Sequence, residues 1–209
     1  VLRDVAERHA SANVAELSFV VRRMLRCAGS KTSANALHQD LKAQNLALGK
    51  DAIYAMLGHV EDAFLVFLVP LHASSERRRQ MNPRKVYAID HGLVRACVPS
   101  PTRDLGHHFE NPVYLELRRR GTVLGYHLTE AGHEVDFVFE ARDGERQLVQ
   151  ACADLSDEAT RARELRALTT ASRETGIEEL TIVTQGTERT ERADGCEVKV
   201  VPAWRWLLE

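Results

Sequence analysis

The chain has 209 residues, 44% of them hydrophobic and 28% charged, with a formal net charge of −2. This is the composition of an ordinary soluble protein with room for one large or two small cores, and no apolar run approaches the roughly 20 residues that span a bilayer. The charge is divided unevenly: residues 1–85 carry 13 Lys and Arg against 8 Asp and Glu, while residues 86–209 carry 15 against 22. Any polyanion is therefore expected on the first half.

Cys27, Cys97, Cys152 and Cys196 lie far apart with no C-x-x-C pair. That spacing suits isolated reduced thiols of a cytoplasmic protein and argues against a disulfide scaffold or a zinc site. The opening VLRDVAERHA has neither an initiator Met nor a charged-then-apolar leader, and is expected to be the middle of a longer chain.

Residues 14–28 read as a helix stopped by Gly29. Ser33 is placed to N-cap a second helix over residues 34–44, and the NLALG turn leads into a third from Lys50 or Asp51 to about residue 63. FLVFLVPL reads as an apolar strand, SSERRRQMNPR as an Arg-rich loop and KVYAID as a second strand. Three helices with a short second turn, followed by a hairpin, make a winged helix-turn-helix over residues 1–85. In such a domain Lys50 and Tyr54, at the start of the third helix, are duplex-DNA contacts together with Arg77, Arg78, Arg79, Arg84 and Lys85, whereas Ile53, Leu57 and Val60 are core. The competing reading makes the Arg run a solvated loop tip and the domain a protein-docking module.

Residues 86–209 alternate in character. A short helix over residues 92–97 and a loop over residues 99–104 precede a helix over residues 105–120. Strands over residues 123–128, 135–139 and 147–153 are followed by a long helix from about residue 157 to 175, closed by Gly176. LTIVT and CEVKVV are further strands, and Trp204 and Trp206 in PAWRWLLE are expected to anchor the chain's end against the sheet. The pattern predicts an α/β domain with a mixed sheet flanked by helices, and an α+β fold overall.

Three stretches of this half bring polar groups toward one another. Helical spacing across residues 105–120 lines up Phe109, Val113 and Leu117, with Glu110 at the margin of that stripe. In EVDFVFE a period of two sends Val135, Phe137 and Phe139 to one side, so Asp136 faces away from the most apolar side. In LVQACAD it sets Leu148, Gln150, Cys152 and Asp154 on one face. A carboxylate on a helix, a second on a strand and a Gln-x-Cys pair on the next strand outline a metal-dependent nuclease site with its last motif altered.

The strings RDVAERH, KVYAIDHGL, ENPVYLELRRRG, EVDFV, LVQACADL, the REL helix and VVPAWRWLL, in this order, resemble the C-terminal half of a prokaryotic AAA-class P-loop ATPase family, nearly end to end. The resemblance implies an ATPase core upstream, then a winged helix at residues 1–85, then a PD-(D/E)XK restriction-endonuclease-like domain at residues 86–209. ATP would belong to the absent core alone, because CAGSKTS lacks the glycine before Lys31 that a phosphate-binding loop requires. It further implies Glu110 and Asp136 as ligands of a Mg²⁺ that polarises the scissile phosphate, with the E-x-K motif falling on Gln150, Ala151 and Cys152. Gln150 brings a carbonyl oxygen but no charge, and Cys152 brings no ammonium. The site of Glu110, Asp136, Gln150 and Cys152 therefore reads as vestigial.

The favoured reading is an accessory region of an AAA-class ATPase, a DNA-binding or interaction module that is not itself catalytic. Its expected partners are duplex DNA, its own ATPase core and further copies of itself, with no membrane. One alternative is a Mg²⁺-dependent DNA nuclease whose cation has been relocated to Arg161 or Arg163; another is a protein-docking module without nucleic acid. A side chain of the residue 157–175 helix reaching Asp136 favours the nuclease, and an empty or apolar gap favours the inactive module. Against both stands the plain expectation that a lone helix Glu and a lone strand Asp are solvated or ion-paired, and the nine His are too scattered for a metal pattern.

Overall fold

The computed structural model describes residues 14–46, 48–97 and 105–208, with side chains from residue 109 onward in the last stretch. RDVAERH and the loop expected at residues 99–104 lie outside the described residues. In chain order the first elements are α1 (Val14–Arg26), β1 (Lys31–Thr32), α2 (Ala34–Ala43), α3 (Lys50–Asp62), β2 (Val66–Val69), α4 (Glu76–Met81), β3 (Arg84–Ala88) and α5 (His91–Cys97). Then come α6 (Leu105–Arg120), β4 (Gly121–Leu128), β5 (Glu134–Ala141), β6 (Arg146–Ala151) and α7 (Glu158–Thr175). β7 (Glu179–Thr184), β8 (Arg189–Ala193), β9 (Cys196–Pro202) and α8 (Ala203–Trp206) complete a mixed α and β fold.

The described residues divide into two compact units, one of residues 14–68 and 82–97, the other of 69–81 and 105–208. This differs from a boundary after residue 85. β3 and α5 pack on α1 and so stay with the first unit, and an excursion of thirteen residues, 69–81, belongs to the second.

In the first unit α1 buries Leu17, Val20, Val21, Met24 and Leu25, a spacing of three and four that lines one helical face. Ser33 starts α2 as its sequence position predicts: its hydroxyl accepts the Ala36 N–H at 3.1 Å. α3 buries Ile53, Met56, Leu57 and Val60. Each such side chain contributes about 1.5–3 kcal/mol by leaving water. β3 is the middle strand of a three-stranded sheet ordered β1-β3-β2, antiparallel to β1 with Lys31 opposite Lys85. Two residues are too few to show a period, which is why β1 escapes a sequence reading.

The second unit is built on a six-stranded sheet ordered β4-β5-β6-β7-β9-β8. β4, β5 and β6 run antiparallel, β6, β7 and β9 parallel, and β8 folds back antiparallel on β9. The parallel step from β6 to β7 needs a crossover, and α7 supplies it. Asp157 caps α7 by accepting the Thr160 N–H at 2.8 Å, and Gly176 ends it at φ 72°. Ala167, Leu168 and Ala171 of α7 pack with Val138, Leu148, Leu180, Ile182, Val198 and Val200 of the sheet in one core.

Residues 69–72 cover the outer edge of β4. The Tyr126 N–H donates to Pro70 O at 3.0 Å and the His72 N–H to Tyr126 O at 2.7 Å, with Leu71 buried between. The approach is close enough that a Cβ on Gly125 would fall 2.7 Å from both His72 N and Pro70 O, so only glycine admits it. Beyond this edge contact, the Arg-rich stretch expected as a loop contains the short helix α4, where Glu76 pairs with Arg79 and accepts from Gln80 at 3.1 Å. β8 is a further departure, since its sequence RTERA has no apolar alternation.

Candidate functional site

Three elements of the second unit, β5, β6 and α7, converge on Asp136. The β5–β6 register pairs Phe137 with Val149, which sets Asp136 across from Gln150 one step further along. There side chains take over from the backbone ladder. The Asp136 N–H donates to Gln150 Oε1 at 3.0 Å, and the Ala151 N–H donates to Asp136 Oδ2 at 2.9 Å. Two backbone donors that would be orphaned as the strands part are thereby satisfied inside the protein.

Gln150 continues the chain of contacts: its Nε2 donates to Glu164 Oε2 at 2.6 Å. Glu164 Oε1 accepts from Arg163 at 3.1 Å (Nε) and 2.6 Å (Nη2). Asp136, Gln150 and Glu164 are all buried, while the Arg163 guanidinium reaches solvent. Glu164 faces the sheet because it lies three and four residues before Ala167 and Leu168, on the apolar stripe of α7. That offset is the sequence signal that could have found it. A carboxylate buried there needs donors, and a primary amide at position 150 supplies one where a carboxylate would not.

Cys152 lies just past the end of β6, held by its own N–H to Val183 O at 3.0 Å. Its Sγ donates to Asp154 O at 3.2 Å. Burial, with the charges of Glu164 and Asp136 adding to it, pushes the thiol up to about 11, so at neutral pH it is a protonated donor and a poor nucleophile.

Glu110 is buried on α6. Tyr114, one turn along, meets Phe137 with ring centroids 6.2 Å apart and ring planes tilted by 33°. Phe137 and Asp136 are neighbours on one strand and point to opposite faces. α6 thus covers the face opposite the one where Glu164 of α7 meets Gln150. Among the described residues no three His, Cys, Asp or Glu side chains are grouped to hold a metal ion. With Asp136 Oδ2 and Gln150 Oε1 each already accepting a backbone N–H, the donor set fits Mg²⁺ poorly. The helix side chains do reach this site: Glu164 directly, Arg163 through it. Arg161 turns away to Glu158 at 2.8 Å and Glu191 at 3.4 Å.

The candidate DNA contacts are split between the units. Lys50 and Tyr54 are exposed on α3, Tyr54 to 58%, and Arg84 is half-buried. Lys85 is a correction: it sits on the central strand β3 at 3% exposure, out of reach of a phosphate. Arg77, Arg78 and Arg79 are exposed on α4, in the other unit from α3. Of the expected anchors, Trp206 is buried with the Arg120 guanidinium 4.3 Å from its ring centre, whereas Trp204 is 66% exposed and anchors nothing by burial.

Among the described residues no helix is long and apolar enough to cross a membrane. No solved structure matches the chain. An uncharacterized protein of Methanocaldococcus jannaschii, MJ1544, is 30% identical over 215 aligned residues, which take in 99% of this chain and 47% of that protein. The chain therefore spans about half the length of the relative it matches. Residues 105–206, from the start of α6 to the end of α8, match the model of a family described as a domain of unknown function, DUF4143.

Proposed function

We propose that this chain is a non-catalytic accessory region of an AAA-class ATPase, its first unit a winged helix and its second a PD-(D/E)XK-like fold that has kept its shape and lost its chemistry. What carries this reading is that Gln150 Oε1 and Asp136 Oδ2 each accept a backbone N–H and that a thiol stands at the motif-lysine position, whereas the reach of Glu164 and Arg163 to the site counts toward the nuclease. A metal-dependent nuclease needs acidic oxygens open to a cation and a positive charge facing the phosphate. Here the Asp136 and Gln150 oxygens named above are engaged by backbone N–H groups, and the position of the motif lysine holds a protonated thiol. The DUF4143 domain is often found at the C-terminus of AAA-ATPase-like proteins, which supports an ATPase core as partner and as the seat of any ATP.

Duplex DNA is the proposed ligand, bound through Lys50 and Tyr54 and, separately, through Arg77, Arg78 and Arg79. A cytoplasmic setting and self-association through the ATPase core belong to the same reading. One observation favours the nuclease alternative: Arg163 stands beside Asp136 and Cys152, close enough for their charges to raise its pKa further after the leading effect of Glu164.

A gel assay on single- and double-stranded DNA with Mg²⁺ or Mn²⁺, paired with a low-salt duplex titration, tests the proposal. The expected result is no cleavage, with weak binding that falls as salt rises and weakens alike on all sequences in Arg77→Ala/Arg78→Ala/Arg79→Ala. Cleavage lost in both Asp136→Ala and Arg163→Ala would establish the relocated-cation nuclease. Absence of binding at low salt would leave the protein-docking module.

A further inference from the structure

The helices leave part of one face of the second unit's sheet open. Alternation along the strands sends Leu180 and Ile182 of β7 and Val198 and Val200 of β9 into the core under α7, so Thr181 and Lys199 lie on the other face. On that face α6 packs over β4, β5 and β6, and the short α8 rests on β7 and β9. Beside them runs an open groove of about 370 Å³, lined by Gln147, Thr181, Lys199 and Thr190 from the strands and by Arg120 and Trp206 from the helices.

Strand register sets three of these side chains in one row. Lys199 of β9 stands opposite Thr181 of β7 on one side and Thr190 of β8 on the other. The Lys199 ammonium donates to Glu179 at 2.8 Å, which leaves its other N–H groups to the groove. The Thr181 and Thr190 hydroxyls bond to no other described residue. The Arg120 guanidinium is held over the Trp206 ring and donates to Trp206 O and, at 2.7 Å, to Glu116. Glu116 is shared with Arg119, so one guanidinium of that group is unmatched. The carboxylates at the groove are each matched, Glu179 by Lys199 and Glu188 by Arg205, and Arg189 pairs with Glu191 at 2.7 Å. The groove is rich in donors and carries an excess of positive charge.

We propose that this groove binds a phosphate monoester, with Lys199 supplying charge and the Thr181 and Thr190 hydroxyls donating from either side. Neighbouring strands lie about 4.8 Å apart, so hydroxyls that lean in from both flanks reach separate oxygens of one tetrahedral anion centred over Lys199. A monoester phosphate has three free oxygens, one for each donor, whereas a carboxylate and a phosphodiester each have two. Arg120, held by Glu116 and Trp206, is the second cation at the groove. The monoester is carried by a small molecule or by the end of a nucleic-acid strand. The site rests on the second unit's sheet and not on the DNA contacts proposed at Lys50, Tyr54, Arg77, Arg78 and Arg79.

Amide NMR of the whole chain, titrated with inorganic phosphate and separately with sodium chloride at the same ionic strength, tests the site. The expected result is saturable shifts at Thr181, Thr190 and Lys199 with phosphate alone, while the amides of β5 stay in place. Lys199→Gln should weaken binding about tenfold or more, and Thr190→Val, a change of equal size on an exposed edge strand, about threefold or more. Competition separates the two sources. Displacement of phosphate by a DNA duplex bearing a 5′-phosphate, and not by the same duplex without it, assigns the site to a strand end; displacement by neither assigns it to a small molecule. Displacement by both alike, no phosphate-specific shift, or binding unchanged in Lys199→Gln and Thr190→Val would each overturn the proposal.

Discussion

Replacing Gln150 by glutamate is the change that probes the site most directly. In the unmodified protein the amide nitrogen of Gln150 donates to Glu164 at 2.6 Å. Gln150→Glu exchanges that donor for an acceptor and adds a second charge beside a buried carboxylate, with Asp136 close by. Two unit charges about 4 Å apart at an effective dielectric constant of about 20 repel by about 4 kcal/mol, and the lost charged hydrogen bond is worth a further ~1.5–3. Relaxation and partial protonation absorb part of this, so a net loss of about 2–4 kcal/mol is expected at pH 8, a fall of about 5–15 °C in melting temperature. The deficit is pH-dependent with a definite sign. The introduced carboxyl has its folded pKa raised, so the penalty grows as pH rises from about 4 toward that raised value and disappears below it, where one shared proton restores a donor toward Glu164. A divalent cation does the same work from another direction, since it binds the folded variant and not the unfolded chain. Melting curves by circular dichroism, each compared with the unmodified protein at the same pH, should show a deficit at pH 8 that shrinks at pH 5 and shrinks with Mn²⁺ at pH 8. A variant that melts with the unmodified protein at pH 8, or a deficit unmoved by acid and by Mn²⁺, would refute the wiring of Gln150 to Glu164.

Two further outcomes follow from the same structure. With its thiol pushed up to about 11 against 9.0 for an ordinary cysteine, Cys152 should be alkylated at pH 7 about a hundredfold more slowly than an unperturbed thiol, a rate readable by mass spectrometry of the Cys152 peptide. Gly125→Ala should force residues 70–72 off β4 at a cost of about 1–3 kcal/mol, seen as faster exchange at the His72 amide with the β7 amides unaffected.

Helix ends were the most legible part of the chain, because a cap is a local bond between near neighbours: Ser33 to Ala36, Asp157 to Thr160, Gly176 at positive φ. Strand β8 was illegible by periodicity since it is an edge strand of polar residues, yet Asp194 and Gly195, at φ 52° and 83°, make the two-residue turn that such a dipeptide signals. The period of two gave the faces of Asp136 and of Gln150 within their own strands, but that they stand opposite one another is set by the β5–β6 register, which no local pattern gives. Their partner Glu164 was hidden in a run of charges, DEATRARELR, where only its distance from Ala167 and Leu168 marks it as inward. Lys85 shows the opposite failure: charge made it a surface candidate, while its place on a central strand buried it. The assignment of residues 69–81 to the second unit depends on pairing with a strand about fifty residues away, and no local pattern encodes that.

That excursion bears on how this polypeptide can be cut or recombined. A gene segment starting at residue 105, the limit the family match suggests, would inherit β4 without the residues that close its edge. Tyr126 would then present a bare N–H and carbonyl, and the place filled by Leu71 would stand open, which is the kind of strand edge that pairs with its own copies and aggregates. Recombination between genes faces the same constraint as the bench, because residues 69–81, set between two stretches of the first unit, belong to the second and pair along the edge of its sheet. The two units are inherited together or the second must find another cover, so their pairing along the chain is an entanglement as much as a partnership.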